Sequence, residues 1–322
     1  MRFALSDDQI AFRDAARELL ASQCPPAVVR AAWEAPAGQL DRRVWDELDA
    51  MGVLGVLVPE PEGGLGLDET YLVPVLEECG RAALPHPVVE TAMVAAPLLG
   101  VGAGLVTTDL GGPNVPCAAD ADTLLLRHDG GLVRTTPAAA SLAPVETVDG
   151  ARRAARASAP AGAQPVAADA GAVARALERG AVGTAAVLIG LGQAMLDRTV
   201  DYVCERRQFG VPVGSFQAVK HHLADAALAL ELGRPTVWRA AWSLAHDEPT
   251  RARDASMAKA MASDAAERVA RHALQCHGAI GYTVEADLHL YLKRTWALAR
   301  AWGDSAHHTD RVADALDPER GA

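Results

Sequence analysis

Aromatic side chains are few: Phe, Trp and Tyr together make up 4% of the 322 residues, while hydrophobic residues of all kinds make up 50%. With so little ring area and so much alanine and leucine, the composition favours helices over β-sandwiches. Cysteine is sparse as well. Cys24, Cys79, Cys117, Cys204 and Cys276 include no C-x-x-C pair, which argues for a reducing compartment with the thiols as small core residues. Positive charge is in deficit, with a formal net charge of -11. An acidic surface does not attract nucleic acid or anionic lipid, so an anionic ligand would need a local basic site. The N-terminal MRFALSDDQIAFRDAARELL carries charge throughout and does not read as a signal peptide. No stretch reads as a membrane span. These absences predict a cytoplasmic protein with neither nucleic acid nor membrane as partner.

What is present is helical periodicity at both ends of the chain. Ser6 before Asp7, Asp8 and Gln9 is a helix start. Val44, Trp45, Leu48 and Met51 share a face of a helix that stops at Gly52, and VLGVLVPEPEGGLGL follows as a structured loop. From residue 101 glycine and proline break the chain. TLLLRHDGGLVRTTP then predicts two strands joined at Asp129-Gly130, and 137–170 reads as a loosely structured connection. Beyond that, Leu188, Leu191, Met195 and Tyr202, then Val219, Leu223, Ala226 and Leu230, then Met257, Met261, Ala265 and Val269 repeat at helical spacing, predicting an antiparallel bundle with these residues in its core.

Two segments break this pattern with specific chemistry. ERRQFGVPVGSFQAVKHHLAD (205–225) stands between the first two long apolar segments, and QCHGAIGYTVEADLHLYLKR (275–294) follows the third. Arg206 and Arg207 end a helix beside a Gly-x-Pro turn, where a guanidinium either complements the helix terminus or forks onto a phosphate. Together with WDELDAMGVLGVLVPEPEGGLGL (45–67), these segments resemble signature segments of acyl-CoA dehydrogenases, in the same order. The resemblance implies a mainly α fold: an N-terminal helical domain (1–100), a truncated β middle domain with its linker (101–170) and a C-terminal four-helix bundle (171–322). It also implies FAD as cofactor. Arg206 and Gln208 match contacts to the FAD pyrophosphate of a neighbouring subunit, Phe209 an apolar contact and Gln217 a polar residue near the adenosine. Gln275, Gly278 and Ala279 match a segment that approaches the same flavin, and Ser305 matches a further FAD contact. Gly278-Ala279 departs mildly from the usual pair of glycines.

Other departures are larger. The family's base is a glutamate after a tyrosine, and counting from Arg294 those positions hold Trp302 and Gly303. Asp304, one residue later, is the candidate for a shifted catalytic base. Members that carry the base elsewhere place it near Gly180, which makes Glu178, read as an exposed helix-terminal residue, a second candidate. Nothing in 101–170 resembles the Thr-Glu-Pro-x-x-Gly-Ser-Asp loop that binds flavin within a subunit. The expectation is a non-catalytic subunit of a heterotetrameric, steroid-type acyl-CoA dehydrogenase that contributes to FAD binding across an interface. Its partners would be a larger dehydrogenase subunit, an acyl-CoA substrate and an electron-transfer acceptor. Two alternatives stand beside it: a self-sufficient homo-oligomer using Asp304 or Glu178, and a flavin-free structural paralogue. No metal site is expected.

Overall fold

The computed structural model describes residues 3–317. The first helix, α1 (Asp7–Gln23), starts as the sequence predicts: the Ser6 hydroxyl accepts from the Gln9 amide while the Gln9 side chain accepts from the Ser6 amide, a reciprocal capping box. The short helices α2 (Pro26–Glu34) and α3 (Arg43–Ala50) follow, and α3 buries Val44, Trp45 and Leu48. The helix α4 (Glu69–Arg81) is capped by Asp68, whose carboxylate accepts from the Thr70 amide. A π-helical stretch, Val89–Ala95, runs directly into α5 (Ala96–Leu99).

The middle segment is more ordered than the composition of 137–170 predicts. β1 (Val106–Thr108), β2 (Thr123–His128), β3 (Gly131–Thr135) and β6 (Gln164–Val166) form one sheet in the order β1-β2-β3-β6. β4 (Ser141–Pro144) pairs with β5 (Ala155–Ser158) in a second. The predicted β2–β3 turn is present, with Asp129 and Gly130 both at positive φ (46° and 81°), the geometry that suits a two-residue hairpin. Ordering comes from buried charge. Asp149 accepts from Arg294 at 3.1 Å, and Asp120 pairs with Arg153 at 2.8 Å. These partners hold an Ala/Pro-rich segment that has few large apolar side chains of its own.

The C-terminal helices are α6 (Ala170–Glu205), α7 (Gln217–Ala245), α8 (Arg251–His277), α9 (Leu288–Arg300) and α10 (Ser305–Leu316). α6 lies centrally between α4 on one side and α7 and α8 on the other. Glycines permit the α4–α6 crossing: a Cβ on Gly190 would lie 1.9 Å from the Glu77 carbonyl oxygen, and one on Gly80 would lie 2.1 Å from that of Val187. One large hydrophobic core runs from α1 through the sheet into this bundle, and Ala32, Leu40 and Cys117 form a small separate cluster. Contrary to the sequence reading, α6 is long and apolar enough to cross a membrane, but 89% of its most apolar window is buried inside the fold.

The assignment of Met257 and Met261 to the bundle core is corrected. They are 37% and 38% exposed, and on α7 Leu228 and Leu232 are each 57% exposed. The small residues Ala258, Ala262 and Ala265 take the buried side of α8 instead. Alanine allows the close approach of α7 and α6 that leaves no room for methionine. Cys24, Cys79 and Cys117 are core residues as expected, whereas Cys204 is exposed and Cys276 half-buried.

Candidate functional site

The chain after α6 turns back in a tight hairpin. Arg206 caps α6, its amide donating to the Tyr202 carbonyl. Arg207-Gln208 (β7) then pairs with Val211-Pro212 (β8). Phe209 and Gly210 form the turn at φ 52° and 82°. A left-handed backbone is uncommon for a bulky residue, and here it drives the Phe209 ring outward to 92% exposure. Arg206, Gln208 and Gln217 are exposed beside it, and among the described residues Arg206 makes no ion pair. The chain's own core does not explain a phenylalanine and an arginine presented in this way.

The end of α8 comes to the same place. His277 stacks on Tyr202 with ring centroids 4.4 Å apart, and Tyr202 Oη donates to the His277 carbonyl at 3.4 Å. Gln275, Gly278 and Ala279 are exposed. Gly278 has φ 63° and ψ -139°, and a Cβ there would meet nothing within 4 Å. Backbone strain, and not crowding within the chain, explains glycine at this position. Two turns back, His222 on α7 and His272 on α8 meet at 2.9 Å between their Nδ1 atoms. The structure thus brings Arg206, Gln208, Phe209, Gln275, Gly278 and Ala279 to one end of the bundle.

Ser305, Gly303 and Asp304 lie elsewhere. The loop that holds them is anchored to Lys259, 16 residues before Gln275 on α8, which at 1.5 Å per residue is about 24 Å along the helix. Within one chain the two groups of candidate residues do not form one site. Trp302 is in the left-handed region (φ 60°), and its amide donates to the Gly111 carbonyl at 2.8 Å. Its indole fills the space above two glycines: a Cβ would sit 2.6 Å from the ring at Gly111 and 2.3 Å at Gly180. At Gly303 (φ 92°) a Cβ would lie 2.6 Å from the His307 ring and 2.8 Å from His308 Nε2. Gly303 and Gly180, the glycines at or near which the sequence reading places the family's base, are therefore both covered by rings.

The two candidate carboxylates are otherwise engaged. Asp304 is the N-cap of α10, accepting from the His307 amide at 2.9 Å, and that bond holds its carboxyl below the usual range. Glu178 is not the exposed helix-terminal residue the sequence predicted. It is 7% exposed, two turns inside α6, and pairs with Arg251 at 3.0 Å.

Two further residues shape this loop and were not singled out in the sequence. Lys259 is fully buried and donates to Ser263 Oγ (3.0 Å), the Ala299 carbonyl (3.0 Å) and the Gly303 carbonyl (2.9 Å). Burial pulls its ammonium down to about 7. Its signal was a lone basic residue in the small-residue run ASMAKAMAS. His308 Nε2 lies 2.8 Å from the Trp302 carbonyl. A carbonyl only accepts, so Nε2 carries the proton; burial holds this imidazole neutral, down to about 4. In the middle segment the hydroxyls of Thr107 and Thr108 are used internally, Thr107 donating to the Pro116 carbonyl and Thr108 accepting from the Leu110 amide.

Comparison with known proteins identifies the family. Residues 6–104 match the acyl-CoA dehydrogenase N-terminal domain and residues 170–316 match the acyl-CoA dehydrogenase C-terminal domain. The chain is 32% identical over 305 residues to the acyl-CoA dehydrogenase IpdE2 of Mycobacterium tuberculosis, covering 89% of this chain and 91% of that protein. It is likewise 32% identical over 324 residues to IpdE2 of Mycolicibacterium smegmatis, covering 96% and 98%. Among solved structures, the Tcur3481-Tcur3483 steroid ACAD, as a G363A variant, superposes with a TM-score of 0.87 at 26% identity, over 98% of this chain and 99% of that one. The ChsE4-ChsE5 complex from Mycobacterium tuberculosis shares the fold, with a TM-score of 0.86 at 22% identity over the full length of both chains. The chain therefore belongs to the acyl-CoA dehydrogenase family, whose members are oxidoreductases acting on CH–CH donors.

Proposed function

We propose that this chain is the non-catalytic subunit of a two-component acyl-CoA dehydrogenase, contributing residues to FAD that is held mainly by a larger partner subunit. One observation carries the reading: Gly303 stands at the base position and a side chain there would meet His307 and His308, while Arg206 and Phe209 project outward. The outward residues fit the cofactor. Arg206 and Gln208 would meet its phosphates, Phe209 would offer an apolar contact, and the open Gly278–Ala279 backbone would allow a ligand close approach. Gln217 and Gln275 would add polar contacts. When bound, FAD supplies the acceptor for the β-hydrogen of the acyl thioester. Gly303 has no group to take the α-proton, so that step falls to the partner. Ser305, on the far side of the bundle, would face a different flavin from the one that meets Arg206.

Exposed Leu228, Leu232, Met257 and Met261, paired one turn apart on the neighbouring α7 and α8, support an assembled state, because exposed apolar surface marks subunit contacts. The substrate would be a bulky acyl-CoA of the steroid-derived class, by analogy with the steroid ACAD relative, and the electrons would leave through a separate transfer protein. The test is turnover of an acyl-CoA by the chain alone and after co-purification with a complete dehydrogenase subunit. Activity only in the mixture is expected; robust turnover by the chain alone contradicts the proposal.

A further inference from the structure

The start of α7 is weakly tied down. Its N-cap, Phe216, makes no side-chain capping bond, and the first buried residue of the helix is Ala226. Between Gln217 and Asp225 no residue is buried. A helix start with neither a capping side chain nor a buried one is among the first segments of a fold to open. Its polar tie to α8 is a pair of histidines. His222 Nδ1 lies 2.9 Å from His272 Nδ1, with the rings tilted at 47° and their centroids 5.0 Å apart. Both residues are half-buried. What moves with this end is also what reaches outward. Phe216 packs edge-on against Phe209, and on their helices Gln217 lies five residues before His222 and Gln275 three after His272.

Two ring nitrogens come this close only with one proton between them: one Nδ1–H donates and the other Nδ1 accepts. The donor ring can take a further proton on its Nε2 and leave the contact intact. The acceptor ring cannot, because a proton on its Nδ1 sets two N–H groups and two like charges face to face. The pair therefore titrates as a unit, and its second proton breaks the contact. The surroundings delay that proton. Burial holds the His272 imidazole below its ordinary value, His222 adds to this, and Arg268 and Arg271 on α8 act in the same sense, while Asp225 on α7 opposes them. Lys220 and His221 precede the pair on α7 and are exposed. The turns beside these helix ends, Val213–Ser215 and Gly278–Tyr282, carry no carboxylate or basic side chain. α6 meets this end of α8 through the Tyr202 ring on His277.

We propose that His222 and His272 form a proton-operated latch between the start of α7 and the end of α8, whose release by double protonation loosens the edge carrying Phe209, Phe216, Gln217 and Gln275. A closed state that refuses a proton the open state accepts loses ground as pH falls. The latch thus opens in acid and closes towards neutrality. Its consequence for flavin rests on the function proposed above; the latch itself does not.

Hydrogen–deuterium exchange of the full chain at pH 7.5 and 5.0, corrected for the intrinsic pH dependence of exchange, reads the latch directly. Amides of residues 221–226 should open about tenfold more at pH 5.0, measured against amides in the buried middle of α6, which report global opening. His222→Gln and His272→Gln each leave an uncharged amide that can pair with the remaining imidazole in either of its charge states. Each should cut the acid effect to less than about twofold, and circular dichroism shows that the helices of each variant are intact. In a complex with a complete dehydrogenase subunit, flavin affinity of the parent should fall about fivefold over the same pH interval and that of the variants less than about twofold. Equal protection of 221–226 at both pH values in the parent, or the parent's acid effect retained in both variants, overturns the latch. Acid opening with unchanged flavin affinity upholds the latch and counts against flavin at this edge.

Discussion

The indole of Trp302 lies on Gly180 so closely that a single added methyl group at position 180 would come within 2.3 Å of the ring. Residues 122 apart in the chain thus close, by one contact, the position near which the sequence reading places the family's alternative base. Gly180→Ala should therefore be an overpacking change that costs about 1–3 kcal/mol. Gly303→Glu should destabilise as well, since it adds a side chain at φ 92° against His307 and His308. Neither Gly180→Glu nor Gly303→Glu should create turnover. Melting temperature and an acyl-CoA assay check both, and a stable, active Gly303→Glu chain would show that the niche is open.

Asp304 should behave as a helix cap. Asn caps about as well as Asp, so Asp304→Asn should leave stability and the activity of an assembled complex within a few-fold. Asp304→Ala should cost about 1 kcal/mol through loss of the bond to the His307 amide. Removing a true general base would instead lower the rate about 10²-fold or more in both variants, a result that would restore the self-sufficient enzyme.

Stability should depend on pH in a definite direction. His86 and His308 are both held neutral by burial, at about 4 against an ordinary 6.5. Between those values the unfolded chain binds protons that the folded chain refuses, so stability is lost as pH falls from 6.5 towards 4. At about 1.4 kcal/mol per unit, the upper limit is about 3 kcal/mol for each residue. Lys259, lowered to about 7 from 10.5, acts in the same direction at the other end: stability should rise as pH climbs above 7. Thermal unfolding from pH 4.5 to 9 reads both effects, and the acid limb should flatten in a His86→Gln, His308→Gln double variant. An unchanged acid limb in that variant would place the dependence elsewhere.

Much of the fold was legible because its signals are local. The Ser6–Gln9 capping box, the Gly52 stop after α3 and the Asp129-Gly130 hairpin each depend on a few adjacent residues. The turn after Arg206 and Arg207 was legible for the same reason, from its Gly-x-Pro spacing, whereas a role for Phe209 was implied only by the family resemblance. What failed depends on residues distant in sequence. The order in 137–170 comes from Arg294 and Arg153 reaching Asp149 and Asp120. The exposure of Met257 and Met261 follows from how closely alanine lets α8 approach α6 and α7, which periodicity alone does not reveal. The covering of Gly180 rests on Trp302, which also meets Gly111, three segments that only the fold brings together.

Arg206→Ala should leave the helices intact and weaken flavin retention by an assembled complex. The loss expected for a charge-assisted hydrogen bond is about 1.5–3 kcal/mol, or roughly 10- to 150-fold in affinity. Circular dichroism and bound-flavin absorbance read the two properties separately. Full flavin retention would reduce Arg206 to a helix-terminal charge.

The most direct test of the account is flavin stoichiometry. The chain should be co-expressed with a complete acyl-CoA dehydrogenase subunit, the complex purified to homogeneity, and FAD counted against each polypeptide. One FAD for each pair of unlike chains, with none on this chain purified alone, is the predicted result. One FAD on every chain, or a flavin-loaded and active homo-oligomer of this chain, would contradict it.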